Sequence, residues 1–231
     1  MDAAVKKELH QIHDLDTYEL MMKSDMSYKE IREALSSLLF ITEKRNGDIK
    51  SRKVADGSKH CTYNGYNKSD GSSPTVATDS VFMAGVVDAL ESCAVEILDI
   101  ANLFIHSKND EKILMMLRGR LEEMAAVETS LYRKYVTYST KGGPMLYVRL
   151  SMALYGMLRA TLLSYKRLRS DLEIMGFKVN PYDPCMDNKM VNGHQMTVCW
   201  HVDDLKVSHK YEDTVIWYPL PSCYPCTDHM G

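Results

Sequence analysis

Between Ala3 and Met22 the apolar residues Val5, Leu9, Ile12, Leu15 and Leu20 recur at near-helical spacing among charges, a period that predicts an amphipathic helix. Ser27, three residues ahead of Glu30, has the form of a capping box and predicts a short second helix. The period then shortens. Leu38 to Thr42 and Ile49 to Ala55 are β-prone runs joined through Asn46-Gly47, a pair whose tolerance of positive φ predicts a hairpin with a type I′ turn. Gly, Asn, Lys and Ser between Asp56 and Ser73 predict a long loop. Val81, Gly85, Val86 and Leu90 share one helical face in Ser80 to Glu91, and this helix feeds a strand that closes on Asp99.

Farther along, Ile113 to Leu117 and Met145 to Leu150 predict strands and Leu121 to Ala126 a helical turn. Ala153 to Met175 predicts an apolar helix that Pro181 breaks. Val191 to Ser208 predicts a last hairpin, with Asn192-Gly193 turning one edge and His201, Val202, Asp203 and Asp204 the other. Beyond Glu212, Pro219, Pro221 and Pro225 among cysteines and tyrosines predict a poorly ordered tail.

Composition narrows the class. A chain of 231 residues can bury a proper core, as one domain or one domain with a subdomain. Hydrophobic content of 45%, a mean hydropathy of -0.28 and the lack of any apolar run near about 18 residues point to a protein that is not secreted and does not span a membrane. The six cysteines (Cys61, Cys93, Cys185, Cys199, Cys223, Cys226) show no disulfide framework, which suits a reducing compartment. The 16 methionines imply an adaptable core. A net charge of -3 is a poor footprint for nucleic acid. From Lys141 to Lys178, however, Lys141, Arg149, Arg159, Lys166, Arg167, Arg169 and Lys178 face only Asp171 and Glu173, a pattern that serves a phosphate backbone or a solvated helix face equally well.

The strongest chemical signal is the Asp203-Asp204 pair at the tip of an apolar hairpin. Crowded carboxylates repel by about 4 kcal/mol in a partly buried setting, so they either raise a pKa or gather a cation. Magnesium favours a few carboxylates completed by water and phosphate oxygens. Asp99, closing its own strand, is the best candidate for the further acid.

Order and spacing extend the signal. Asp99 closing a strand, then Leu154-Tyr155-Gly156, then Val202-Asp203-Asp204, resembles the reverse transcriptase of copia-type long-terminal-repeat retrotransposons. Leu98, Asp99, Ile100, Phe104 and Ile105 fit that family's first acidic strand. Lys50, Arg52, Val54, Ala55 and Gly57 fit its basic fingers strand, and Ser73, Pro74 and Val76 its Ser-Pro-Val loop. Ser151, Leu154, Tyr155, Gly156, Ala160, Tyr165, Arg167 and Leu168 follow its helix motif, and Asp183 with Cys185 its Asp-x-Cys.

The resemblance implies an α+β fold of the right-hand polymerase type: palm and fingers over 35–211, an antiparallel sheet backed by helices, a helical segment over 1–34, an irregular tail over 212–231 and no thumb. It implies RNA-directed DNA synthesis on an RNA template and a DNA primer from deoxynucleoside triphosphates, in the cytoplasm or in retrotransposon particles. Asp99, Asp203 and Asp204 would hold two magnesium ions, with manganese as a substitute. Lys50, Arg52, Ile100, Phe104 and Arg159 would meet the nucleotide, and Tyr155, Gly156, His201 and Val202 the template and primer. Phe104 serves equally as a core aromatic, and Tyr155-Gly156 as packing residues at a helix start.

The chain departs from the family at several positions. His201 stands for a tyrosine, Leu103 for an alanine beside the sugar, Leu158-Arg159 for Lys-Gln, Thr161 and Leu162 for Pro and Arg, and Ser164 for Trp. Leu103 is expected to crowd the nucleotide. A truncated or decayed copy is the reading these changes suggest, and a catalytically inactive nucleic-acid-binding remnant is its rival. A zinc site from Cys223, Cys226 and His229, or from His10 and His13, lacks a full ligand set.

Overall fold

Local chemistry accounts for where the elements begin and end in the computed structural model, which describes residues 2–58, 71–118, 129–140, 142–216 and 226–228. In chain order they are α1 (Asp2–Asp14), β1 (Tyr18–Met21), α2 (Tyr28–Glu33), β2 (Leu35–Glu43), β3 (Ile49–Ala55), α3 (Thr78–Glu91), β4 (Ala94–Ile100) and β5 (Lys108–Arg118). There follow α4 (Thr129–Arg133), β6 (Thr137–Tyr138), β7 (Pro144–Met152), α5 (Ala160–Ile174), β8 (Lys178–Val179), β9 (Met186–Val191), β10 (His194–His201), β11 (Asp204–His209), α6 (Glu212–Ile216) and β12 (Cys226–Asp228).

The α2 capping box forms as its spacing predicts: the Ser27 side chain accepts from Glu30 N, and Glu30 Oε2 accepts from Ser27 N at 2.8 Å. The first helix stops earlier than its apolar period suggested. Asp16 adopts a left-handed φ of 47°, and Thr17 N donates to Ile12 O, the long hydrogen bond of a Schellman ending. That reversal frees Tyr18–Met21 to form β1. The helix expected from Ala153 also shifts. It begins at Ala160 and ends through Gly176, at φ 87°, with Phe177 N donating to Leu172 O, so a glycine cap and not Pro181 terminates it.

The two Asn-Gly pairs behave differently. At Asn192-Gly193 both residues have positive φ, 49° and 79°, the type I′ pattern of a two-residue hairpin. At Asn46-Gly47 only Gly47 does, at 83°, which overturns the type I′ expectation there. Asn46 Oδ1 accepts from Asp48 N at 3.1 Å, a side-chain turn that leaves Asn46 itself out of the left-handed region. The loop is one residue longer, closed by Gly47 N donating to Lys44 O.

The result is a mixed α+β architecture with two sheets, and the chain divides into two compact units. Unit 1 comprises Met1–Ser72 and Ser107–Ala160. Its strand order is β1-β7-β5-β2-β3, with β6 also on β7 and only the β2–β5 pair parallel. Val5, Leu9 and Ile12 of α1 are buried as the period foretold, and Ser51 Oγ of β3 donates to Ala4 O of α1. Met26, Ala34, Leu114, Met116, Met145 and Tyr147 pack as one of its apolar clusters.

Unit 2 comprises Ser73–His106 and Thr161–Gly231. Its sheet, ordered β12-β4-β11-β10-β9-β8, is antiparallel throughout. Leu98, Ile100, Val198, Trp200, Leu205 and Val207 from the sheet share a core with Leu168 and Leu172 of α5. Asp183 links α3 to this sheet. Its carboxylate accepts from Ala77 N just before the helix, from Cys185 N and from Ser80. Burial works to raise its pKa, but those three hydrogen bonds outweigh it and hold the acid below the usual range. The helical turn expected at Leu121 to Ala126 and most of the loop at Asp56 to Ser73 lie outside the described residues, as do Cys223 and His229. Among the described residues, no helix is long and apolar enough to cross a membrane.

Candidate functional site

Unit 2 brings the acids of the sequence motif to one end of its sheet. Asp204, the first residue of β11, lies directly opposite Asp99 of β4. Ile100 N donates to Asp203 O at 2.9 Å, which places the Asp99–Asp204 pair in the non-hydrogen-bonded class, where facing side chains approach most closely. On its other side Asp204 opposes His201 of β10. Asp99, Asp204 and His201 therefore form one row across three strands, because opposed residues project from the same face. Asp203 sits one residue away, in the turn.

Like charges directly opposite one another disfavour a sheet pairing, and a divalent ion between two carboxylates would offset such repulsion. Among the described residues, no three His, Cys, Asp or Glu side chains converge into a ready ligand set. Two opposed carboxylates nevertheless suit magnesium, which takes one or two protein oxygens and completes its shell with water and substrate phosphates.

The turn carrying Asp203 is strained. Val202 has a φ of 60°, while Asp203 does not enter the positive region, the pattern of a type II′ turn whose first central position favours glycine. A β-branched residue is a true outlier there, and such strain collects at functional sites. Val202→Gly is expected to raise stability by about 1 kcal/mol, the relief of left-handed strain less the entropy of glycine. A drop in the urea midpoint would refute the strained-turn reading.

Ile100, next to Asp99, points into the core and is fully buried. Phe104 lies in a 3-10 turn, Leu103–His106, and is only 7% exposed. Leu103, expected to crowd a sugar, belongs instead to the unit 2 core, where its extra carbons are absorbed.

Unit 1 gathers the basic strand and the Tyr-Gly motif. Arg52 of β3 stacks its guanidinium 4.0 Å from the Tyr155 ring centroid, and Ala55 N donates to Tyr155 O at 2.7 Å. Gly156, at φ 85°, sits so close to β3 that an added Cβ would lie 2.1 Å from Ala55 O. Lys50, two residues before Arg52, is exposed. Arg159 is already engaged: its guanidinium pairs with Asp110 at 2.9 Å and with Glu111. A phosphate would have to compete with both carboxylates.

Two buried charges in unit 2 stand outside the sequence motifs. Asp88 of α3 pairs with Lys206 of β11, and Asp187 of β9 is fully buried with no hydrogen-bond partner among the described residues for either carboxylate oxygen. An i,i+4 stripe of Ser80, Ala84 and Asp88, the small and polar residues on which α3 turns inward, was a signal for the first. Asp187 lies in the polar stretch Asp187-Asn188-Lys189, which resembles an exposed edge. The chain matches no model of a known protein family and no curated protein.

Proposed function

We propose that this chain is a nucleotidyl-transfer domain of the copia-type reverse transcriptase kind, with unit 2 as palm and unit 1 as fingers. The observation that carries the reading is the facing pair Asp99 and Asp204 with Asp203 in the adjoining turn, acids from two segments about a hundred residues apart that meet at one end of one sheet. Magnesium bound by these carboxylates would supply charge neutralisation for a triphosphate and activation of a primer hydroxyl. Asp99 and Asp204 hold the anionic row, and the Val202-Asp203 turn presents the third acid. Lys50 and Arg52 of unit 1, the latter stacked on Tyr155, are the cations that the resemblance assigns to the nucleotide's phosphates. The substrates on this reading are deoxynucleoside triphosphates, with an RNA template and a DNA primer, in the cytoplasm or a particle.

A second reading, a nucleic-acid-binding remnant without catalysis, is favoured by one observation: Arg159 is neutralised by Asp110 and Glu111. Primer extension on an RNA template separates the two. Polymerase activity predicts magnesium-dependent extension that falls at least about a hundred-fold in Asp203→Ala, the scale of losing a preorganised electrostatic group. Template–primer binding without extension by either protein selects the remnant, and neither binding nor extension removes both readings.

A further inference from the structure

Unit 2 contains a cavity of about 410 Å³ that none of the acidic-row residues lines. Its volume falls in the range of small-molecule sites. Met83, Ala84 and Val87 of α3 and Met186 of β9 form apolar walls, while Asn188, Gln195 and Thr197 of β9 and β10 supply a polar patch. Two thioethers make walls that adapt to, and attract, an aromatic ring.

The polar patch is partly self-satisfied. Gln195 Nε2 donates to Asn188 Oδ1 at 3.2 Å and to Thr197 Oγ1 at 3.1 Å, and Thr197 Oγ1 donates to Asn188 Oδ1 at 3.0 Å. Among the described residues these bonds leave the Asn188 Nδ2 donors and the Gln195 Oε1 acceptor unused. An available donor and an available acceptor, on two amides already bonded to each other, suit a cyclic amide edge, which offers a carbonyl oxygen and an N–H side by side. Charge narrows the class. Lys206 neutralises Asp88, but the exposed Asp79 carboxylate also lines the cavity, so an anion is disfavoured.

We propose that this cavity is a binding site for a small, uncharged, planar lactam fused to an aromatic ring, stacked between the methionines and held through its amide edge by Asn188 and Gln195. The site is independent of the polymerase reading.

Oxindole, a fused-ring lactam, is the probe, and N-methyloxindole, which lacks the N–H, is its control. Titration of the full chain followed by amide chemical shifts is expected to show saturable oxindole binding centred on α3, β9 and β10. The N-methyl compound and the Gln195→Leu variant are each expected to bind about ten-fold more weakly, the loss of about one hydrogen bond. Val87→Trp, at a position 42% exposed and therefore tolerant of bulk, is expected to fill the cavity and abolish binding. Absence of saturable binding to the wild-type chain, equal affinity for the two probes, or unaltered binding by Val87→Trp each overturns the proposal.

Discussion

Replacing Gly156 with alanine is expected to destabilise unit 1 by about 3–4 kcal/mol, the sum of left-handed strain and overpacking. At φ 85° an L-residue is strained whatever the space around it, and here the new Cβ would stand 2.1 Å from Ala55 O. Relief requires moving backbone, because Ala55 also donates to Tyr155 O at 2.7 Å. Gly47→Ala is the control. It has nearly the same φ, 83°, and nothing within 4 Å of its Cβ, so it should cost only about 1–2 kcal/mol. Urea unfolding of the two variants gives the comparison, and hydrogen exchange at the Ala55 amide should accelerate only in Gly156→Ala. Equal costs for the two substitutions would mean that the Gly156–Ala55 contact does not constrain the fold.

Asp187→Asn is expected to stabilise the chain above neutral pH by about 3 kcal/mol and to flatten its stability profile in mild acid. Asp187 lies in β9 between Val179 of β8 and Val198 of β10, fully buried. Burial is the main cause that pushes its carboxyl up from 3.8 to about 6. Arg169 opposes the shift and Glu173 adds to it. Arg169 makes its hydrogen bonds elsewhere, to Glu173 Oε1 and Tyr165 OH, and among the described residues neither Asp187 oxygen has a donor. Between the two pKa values the folded state keeps a proton that the unfolded chain has released. Stability is therefore highest below the unfolded value and falls as pH rises through about 6. At roughly 1.4 kcal/mol per pH unit, the displacement gives about 3 kcal/mol. Asparagine remains neutral at all these pH values. Denaturation midpoints measured across mild acid to mildly alkaline pH provide the check, and a wild-type profile that rises through this window would show that Asp187 is not the group described.

The residues that were legible in the sequence are those whose behaviour depends on near neighbours. The capping pair Ser27 and Glu30, the buried stripe Val5, Leu9 and Ile12, the strand that carries Asp99 one residue from its end and the Asn192-Gly193 turn need only local geometry to specify them. Each was predicted and is present. Element ends were less legible, since Asp16 and Gly176 stop their helices through left-handed caps that an apolar period does not register. The two Asn-Gly pairs differ because a side-chain hydrogen bond to Asp48 competes with the turn expected at Asn46.

The acidic motif belongs to both levels. Its residue types, and the likeness that links Asp99 to Asp203 and Asp204, could be read from the chain, because carboxylate crowding is a statement about composition and spacing. Which acid faces which was decided by strand register: a shift of one residue would turn Asp99 to the opposite face and remove the row. The same distinction separates Arg159 from Arg52. Both are cations in the sequence, yet tertiary structure closes Asp110 and Glu111 around one and lays the other over Tyr155. The burial of Asp187 and the cavity beside α3 likewise arise only when distant strands and helices pack. Sequence alone determined the periodicities, the caps and the inventory of charges, whereas folding decided which of those charges meet, since pairing and desolvation depend on neighbours that the linear chain keeps apart.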